Sequence, residues 1–95
     1  MRIVGRDRLL RAEEDYSGSG LGKALDAWVR VAEAARWRHF MDVKLTWSGV
    51  DNVPPHVVFD IKGNRFRLTT MINYQAQTVL IVRAQSHSDY TRKGL

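Results

Sequence analysis

Cysteine is absent from the 95 residues. That excludes a disulfide scaffold and any zinc site built on thiolates. Histidine is scarce, and His39, His56 and His87 never fall at metal-ligand spacing, which argues against a metalloenzyme. Long apolar runs are missing as well. The longest aliphatic run is Val79–Val82, far short of a membrane span. The opening stretch MRIVGRDRLLR holds no signal-peptide run, so a soluble, cytoplasmic protein is expected. No internal repeat or low-complexity segment occurs. The length is too small for a doubly wound sheet or a barrel enzyme. It suits one domain over residues 1–95 with one hydrophobic core.

Charge is present, and unevenly so. The net charge is +5. Residues 1–61 carry nine Lys/Arg and nine Asp/Glu, a balance of zero. From Lys62 onward stand six cations (Lys62, Arg65, Arg67, Arg83, Arg92, Lys93) against Asp89 alone. The whole excess lies in the last third. Such an asymmetry reads as a polyanion-binding face, a solvated surface, or a contact for an acidic protein.

Periodicity supplies the elements. Arg2 to Val4 is a short apolar start, an edge or pairing strand. Asp7 to Asp15 reads as a helix. Ser17-Gly18-Ser19-Gly20 is a breaker. Leu21 to Arg38 is the strongest helical stretch, with Leu21, Ala24, Leu25, Trp28, Val29, Ala32 and Ala35 on one face. These two helices form a hairpin that covers a sheet. Phe40 to Trp47 is a short helical turn or a strand, and Val50 to Pro55 a loop. Strands follow over Val57–Ile61, Arg65–Tyr74 and Thr78–Gln85, with a tight turn at Lys62-Gly63-Asn64. The tail from Ser86 is polar and fits a last turn of helix. The fold class is thus α+β, a two-helix hairpin on a small antiparallel sheet. Alternation puts Phe59, Ile61, Phe66 and Leu68 toward the helices. It leaves Lys62, Arg65 and Arg67 on the open side, and Arg83, after a last strand that is apolar on both faces, is assigned to that side with them.

No paired-carboxylate site, nucleophile elbow or phosphate-cradling glycine loop is visible. The last third offers a cation cluster with His87, Asp89 and Tyr90 just after the final strand. These residue types suit cleavage of RNA by its own 2′-hydroxyl. That reaction needs a base, a cation at the phosphate and an acid for the leaving oxygen. Histidine titrates near neutrality, and arginine presents a planar fork to phosphate oxygens. Tyr90 is placed to stack on a splayed base. Each residue also has an ordinary reading: His87 as a polar loop residue, Tyr90 as a packing aromatic, Lys62 and Asn64 as servants of the turn. Trp28, Trp37 and Trp47 read as helix–sheet contacts. The arginines near the start read as solvated helix faces.

The stretch VVFDIKGNRFRLTTMINYQAQTVLIVRAQSHSDYTR resembles the C-terminal half of HigB-type toxins, in the RelE-like superfamily. The resemblance is carried by Val58 to Asn64, Arg67-Leu68, Asn73-Tyr74 and Ser86 to Tyr90. Leu25 to Trp28, Ala35 to Trp37 and Asp42 to Lys44 extend it. It implies a RelE-like toxin fold and a ribosome-dependent endoribonuclease that cuts mRNA in the ribosomal A site, with no metal or other cofactor. It also implies a HigA-type helix-turn-helix antitoxin, with DNA reached only through that antitoxin and no membrane partner. Lys62, Arg67, His87 and Tyr90 then stand as the catalytic set. Asn64, Arg65, Asn73, Arg83 and Lys93 stand as RNA contacts. Two departures stand beside the match. Gln85 occupies a place where the family has a small residue, and the arginine of the last strand is one position out of register.

Two other readings remain open. The cationic sheet could hold RNA or ribosome without cutting. A toxin of the same superfamily could instead poison DNA gyrase by protein contact.

Overall fold

Residues 1–94 are described in a computed structural model. The elements are β1 (Arg2–Val4), α1 (Arg6–Asp15), α2 (Leu21–Ala34) and α3 (Phe40–Thr46). Then come β2 (Val50–Val53), β3 (His56–Ile61), β4 (Phe66–Asn73), β5 (Thr78–Ser86) and α4 (His87–Lys93). The fold is α+β, with four helices and a five-stranded sheet of order β1-β5-β4-β3-β2.

The sheet is mixed, not antiparallel as the pattern predicted. β1 pairs parallel to β5, while the other three pairings are antiparallel. The helices also exceed the predicted pair: α3 adds to the core layer, and α4 follows β5 at the end of the sheet. The expected loop at Val50–Pro55 contains β2, paired with β3 from Val50↔Phe59 to Val53↔His56. Asp51 and Asn52 have little intrinsic preference for strands, so pairing overrides propensity there.

The apolar face of α2 buries Leu21, Leu25, Trp28, Val29 and Ala32. These meet Phe59, Ile61, Phe66, Leu68, Val79 and Ile81 of the sheet, with Leu9 of α1 and Val43 of α3. Trp28, Trp37 and Trp47 surround Phe59 at ring-centroid distances of 5.2, 6.0 and 6.4 Å. The tryptophans are therefore helix–sheet contacts, as read. α2 ends at Ala34, not at Arg38. Ala35 turns extended, and the Met1 ammonium donates to the carbonyls of Ala32, Glu33 and Ala35. A positive group there opposes the negative end of the helix dipole. The released segment lets Trp37 enter the core, where its indole N–H donates to Thr46 Oγ1 at 3.1 Å.

β5 carries an irregularity that decides a side chain's direction. Thr69 pairs with Arg83 and Thr70 with Ile81, so Val82 has no partner. Before it, Val79 and Ile81 face the core. Plain alternation from there would turn Arg83 inward. The extra residue restores Arg83 to the open face, where it is exposed.

Candidate functional site

The open face is ordered in cross-strand rows. Asp60 of β3, Arg67 of β4 and Gln85 of β5 stand in one row. Val58, Thr69 and Arg83 form the next. Arg67 is the hub. Its Nε lies 3.2 Å from Asp60 Oδ1, and its Nη2 donates to Asn64 Oδ1 at 2.7 Å. Its Nη1 donates to the carbonyls of Asn64 and Phe66 at 3.4 and 3.3 Å. The Tyr90 ring covers its Cζ at 5.9 Å. A guanidinium has five N–H groups; Nη1 and one Nη2 hydrogen are engaged, the Nε contact with Asp60 is an ion pair without hydrogen-bond geometry, and the second Nη2 hydrogen is open to a ligand.

α4 brings Tyr90 and His87 to this hub. Ser86 caps the helix by accepting the Asp89 amide at 3.1 Å. The His87 amide donates to the Arg65 carbonyl at 2.8 Å, which holds the helix start against the β3–β4 turn. Tyr16, after α1, locks the helix from the other side. Its hydroxyl donates to Asp89 Oδ2 at 2.7 Å and accepts the Ser86 amide at 3.1 Å. That bond, more than Arg92 or Lys93 nearby, holds the Asp89 carboxyl below its usual range. Burial, and then the same bond, pushes the Tyr16 phenol up. His87 Nδ1 lies 3.2 Å from Thr91 Oγ1, and the ring is only half-buried.

The predicted residues divide by place. Arg67, Asn64 and Tyr90 are in contact, and Arg65 and His87 adjoin them by the backbone bond just described. Arg65 and Arg83 are exposed, and among the described residues neither has a carboxylate within salt-bridge distance. Lys62 is a correction. Its left-handed φ of 56° takes it out of the strand alternation, and its Nζ donates to Ser19 O at 2.7 Å. It therefore reaches toward the α1–α2 loop, away from the open face. Asn73 is spent on the β4–β5 turn, where its Oδ1 accepts the Ala76 amide at 2.9 Å. Six residues of strand separate it from Arg67, about 20 Å. Lys93 is exposed in the last turn of α4.

The sequence pattern does not single out Asp60, Gln85 and Tyr16 as site residues. Asp60 had a signal, an acid opposite an arginine on a neighbouring strand. Tyr16 had none, because its partners are 70 and 73 residues away. Gln85 is buried beside Arg67, and its Oε1 has no hydrogen-bond partner.

The family model of the HigB toxin, described as the RelE-like toxic component of a toxin–antitoxin system, matches residues 22–93. The chain belongs to the HigB toxin family. No curated relative matches it. In this HigB-family toxin the Arg67–Tyr90 contact lies inside the matched residues, while β1 and α1 precede them. A toxin–antitoxin system implies an antitoxin as partner. Among the described residues, no helix is long and apolar enough to cross a membrane.

Proposed function

We propose that this toxin is a ribosome-dependent endoribonuclease that cuts mRNA in the A site without a metal and so stops translation. On this reading it acts in the cytoplasm and is neutralised by a HigA-type helix-turn-helix antitoxin. The observation that carries the reading is the Arg67 guanidinium beneath the Tyr90 ring, with His87 one helical turn before Tyr90. In the reaction the RNA 2′-oxygen attacks the adjacent phosphorus and the bond to the 5′-oxygen breaks. One proton leaves the 2′-hydroxyl and one arrives at the 5′-oxygen. His87 serves as the acid or the base. Arg67, with Arg65 and Arg83 nearby, holds the phosphate as negative charge grows on it. Tyr90 stacks on a base displaced from its neighbours. Asn64 steadies the Arg67 fork. Lys62 takes part only after releasing Ser19 O, so we give it the lesser share.

The test compares wild type with His87→Ala and Arg67→Ala on translating ribosomes, with the cut ends mapped. Wild type should cut within A-site codons, and both variants should lose most of that cutting. Three chains equally harmless to growth, none cutting, would sink the reading. A second reading has one observation behind it: most of the Arg67 donors are already occupied within the protein. A toxin that only blocks the ribosome would keep its potency as His87→Ala and lose it as Arg67→Glu.

A further inference from the structure

The edge of the sheet beside α1 holds a second group of cations. β1 ends at Val4, paired with Leu80, so β5 from Ile81 onward has no strand on that side. α1 covers this edge instead. Gly5 makes the close approach: its φ is +91°, and a Cβ there would lie 3.1 Å from Ile81 O. The helix then lays Arg8 across the irregularity in β5. Arg8 Nη1 donates to Ile81 O at 3.1 Å and to Val82 O at 3.2 Å. These carbonyls would otherwise lie open at a sheet edge. One nitrogen of the fork is thereby fixed, and Nε and Nη2 keep their hydrogens for a ligand.

Arg11, one turn on, and Arg83, turned out by the unpaired Val82, line the same hollow. Its volume is about 280 Å³, and Arg8, Arg11, Ala12, Asp15, Val82, Arg83 and Ala84 line it. Asp15 is the one acid among them. None of the three arginines has a carboxylate within salt-bridge distance among the described residues, whereas Arg6 on the same helix pairs with Glu33. Three unpaired arginines around a concavity, one anchored by backbone, suit the oxygens of a phosphodiester. An acidic peptide fits less well, because the anchored fork offers planar donors to closely spaced oxygens and no apolar contact beyond Ala12, Val82 and Ala84.

We infer that Arg8, Arg11 and Arg83 form a phosphodiester-binding site on the β5 edge, which extends the Arg67–Tyr90 cluster through Arg83 and grips the backbone of an RNA strand. Arg8 and Arg11 lie before the residues that match the toxin family, and Arg83 lies within them. The inference rests on the reading above that the target is RNA. Arg83, exposed between the two clusters, would join them into one track.

The experiment measures fluorescence anisotropy of a labelled 2′-O-methyl RNA, which lacks the hydroxyl needed for cleavage, across a range of salt. Wild type is compared with Arg11→Gln, Arg83→Gln and the control variants Lys23→Gln and Arg30→Gln on α2. The two site variants should bind about three- to tenfold more weakly, and each should flatten the log–log salt slope by about 0.7, one phosphate contact on a single strand. The controls should match wild type. Site variants that bind as wild type does, with an unchanged slope, would overturn the site. So would a wild-type protein that fails to bind the RNA, or polyglutamate competing as well as RNA of equal charge. The parallel ribosome assay separates the two readings. Loss of binding in Arg11→Gln with no cutting by wild type retires the nuclease and keeps the site. Cutting by wild type with full binding by Arg11→Gln does the reverse.

Discussion

The Tyr16 hydroxyl joins the end of α1 to the start of α4 through Ser86 and Asp89. Together with the Arg65 carbonyl and the Ser86 cap, this side chain fixes where His87 and Tyr90 stand relative to Arg67. The bond also makes stability depend on pH. The Asp89 pKa is lowered in the fold from its ordinary 3.8. The unfolded chain therefore takes up this proton first as pH falls. The stabilisation is present above about the ordinary carboxylate value and fades below it, through the folded pKa. Tyr16→Phe should lower the urea midpoint at neutral pH. It should also lose less stability than wild type between pH 4 and pH 2 (about the range that carboxylate titration covers). Equal acid sensitivity in both proteins would show that Asp89 is held by something other than Tyr16. The cutting activity should fall as well, because α4 loses its tether.

Elements succeed or fail here by what they pack against. Leu25 is 1% exposed in the core face of α2, while Leu45 is 82% exposed on α3. Leu25→Ala should cost about 2–5 kcal/mol in urea unfolding. Leu45→Ala should stay within about 0.5 kcal/mol. A small effect at Leu25 would mean that α2 does not organise the core. The unpaired Val82 makes a sharper test. Deleting it would restore plain alternation along β5 and exchange the faces of every residue on one side of the gap. Either Arg83 and Gln85 turn toward the helices, or Val79 and Ile81 turn to solvent. The deletion should therefore abolish the cooperative thermal transition. A deletion variant that folds and melts like wild type would show that the strand absorbs the change by a different register.

At the scale of the molecule, the sheet divides the chemistry. One face and three helices make the core, and the other face carries Arg67, Arg83 and the neighbouring Arg65. The net charge of +5 sets the expectation for solution behaviour. Affinity for RNA should fall steeply with salt. If three to five of the exposed cations meet phosphates, the log–log slope lies between about −2 and −3.5. A slope near zero, measured by anisotropy titration across the salt range, would exclude a phosphate-driven interface and favour a protein target. The two arginine groups lie on connected ground, so one strand crossing the sheet toward the β5 edge would meet Arg67, then Arg83, then Arg11.

Local periodicity was enough for α2, for the three strands after Pro55 and for the core direction of Phe59, Ile61, Phe66 and Leu68. Each repeats an apolar residue at the spacing of its own element. Composition alone located the charge in the last third, and the run from Val58 to Tyr90 carried the family resemblance. The remaining features were illegible because their causes are far apart in the chain. β2 exists because Val50–Val53 finds β3, against the preference of Asp51 and Asn52. β1 is parallel because it meets a strand more than seventy residues later. Lys62 leaves the open face because its φ is left-handed and the Ser19 carbonyl is there to receive it. Arg8 and Arg11 read as solvated in the sequence, and only the placement of α1 along the β5 edge brings them to Arg83. The sequence by itself determined the α+β class, the core faces and the family, because periodicity and short motifs are local properties. Which cations converge was decided only by the tertiary structure, because an unpaired residue, a turn and a tyrosine hydroxyl each act through partners that no window of sequence contains.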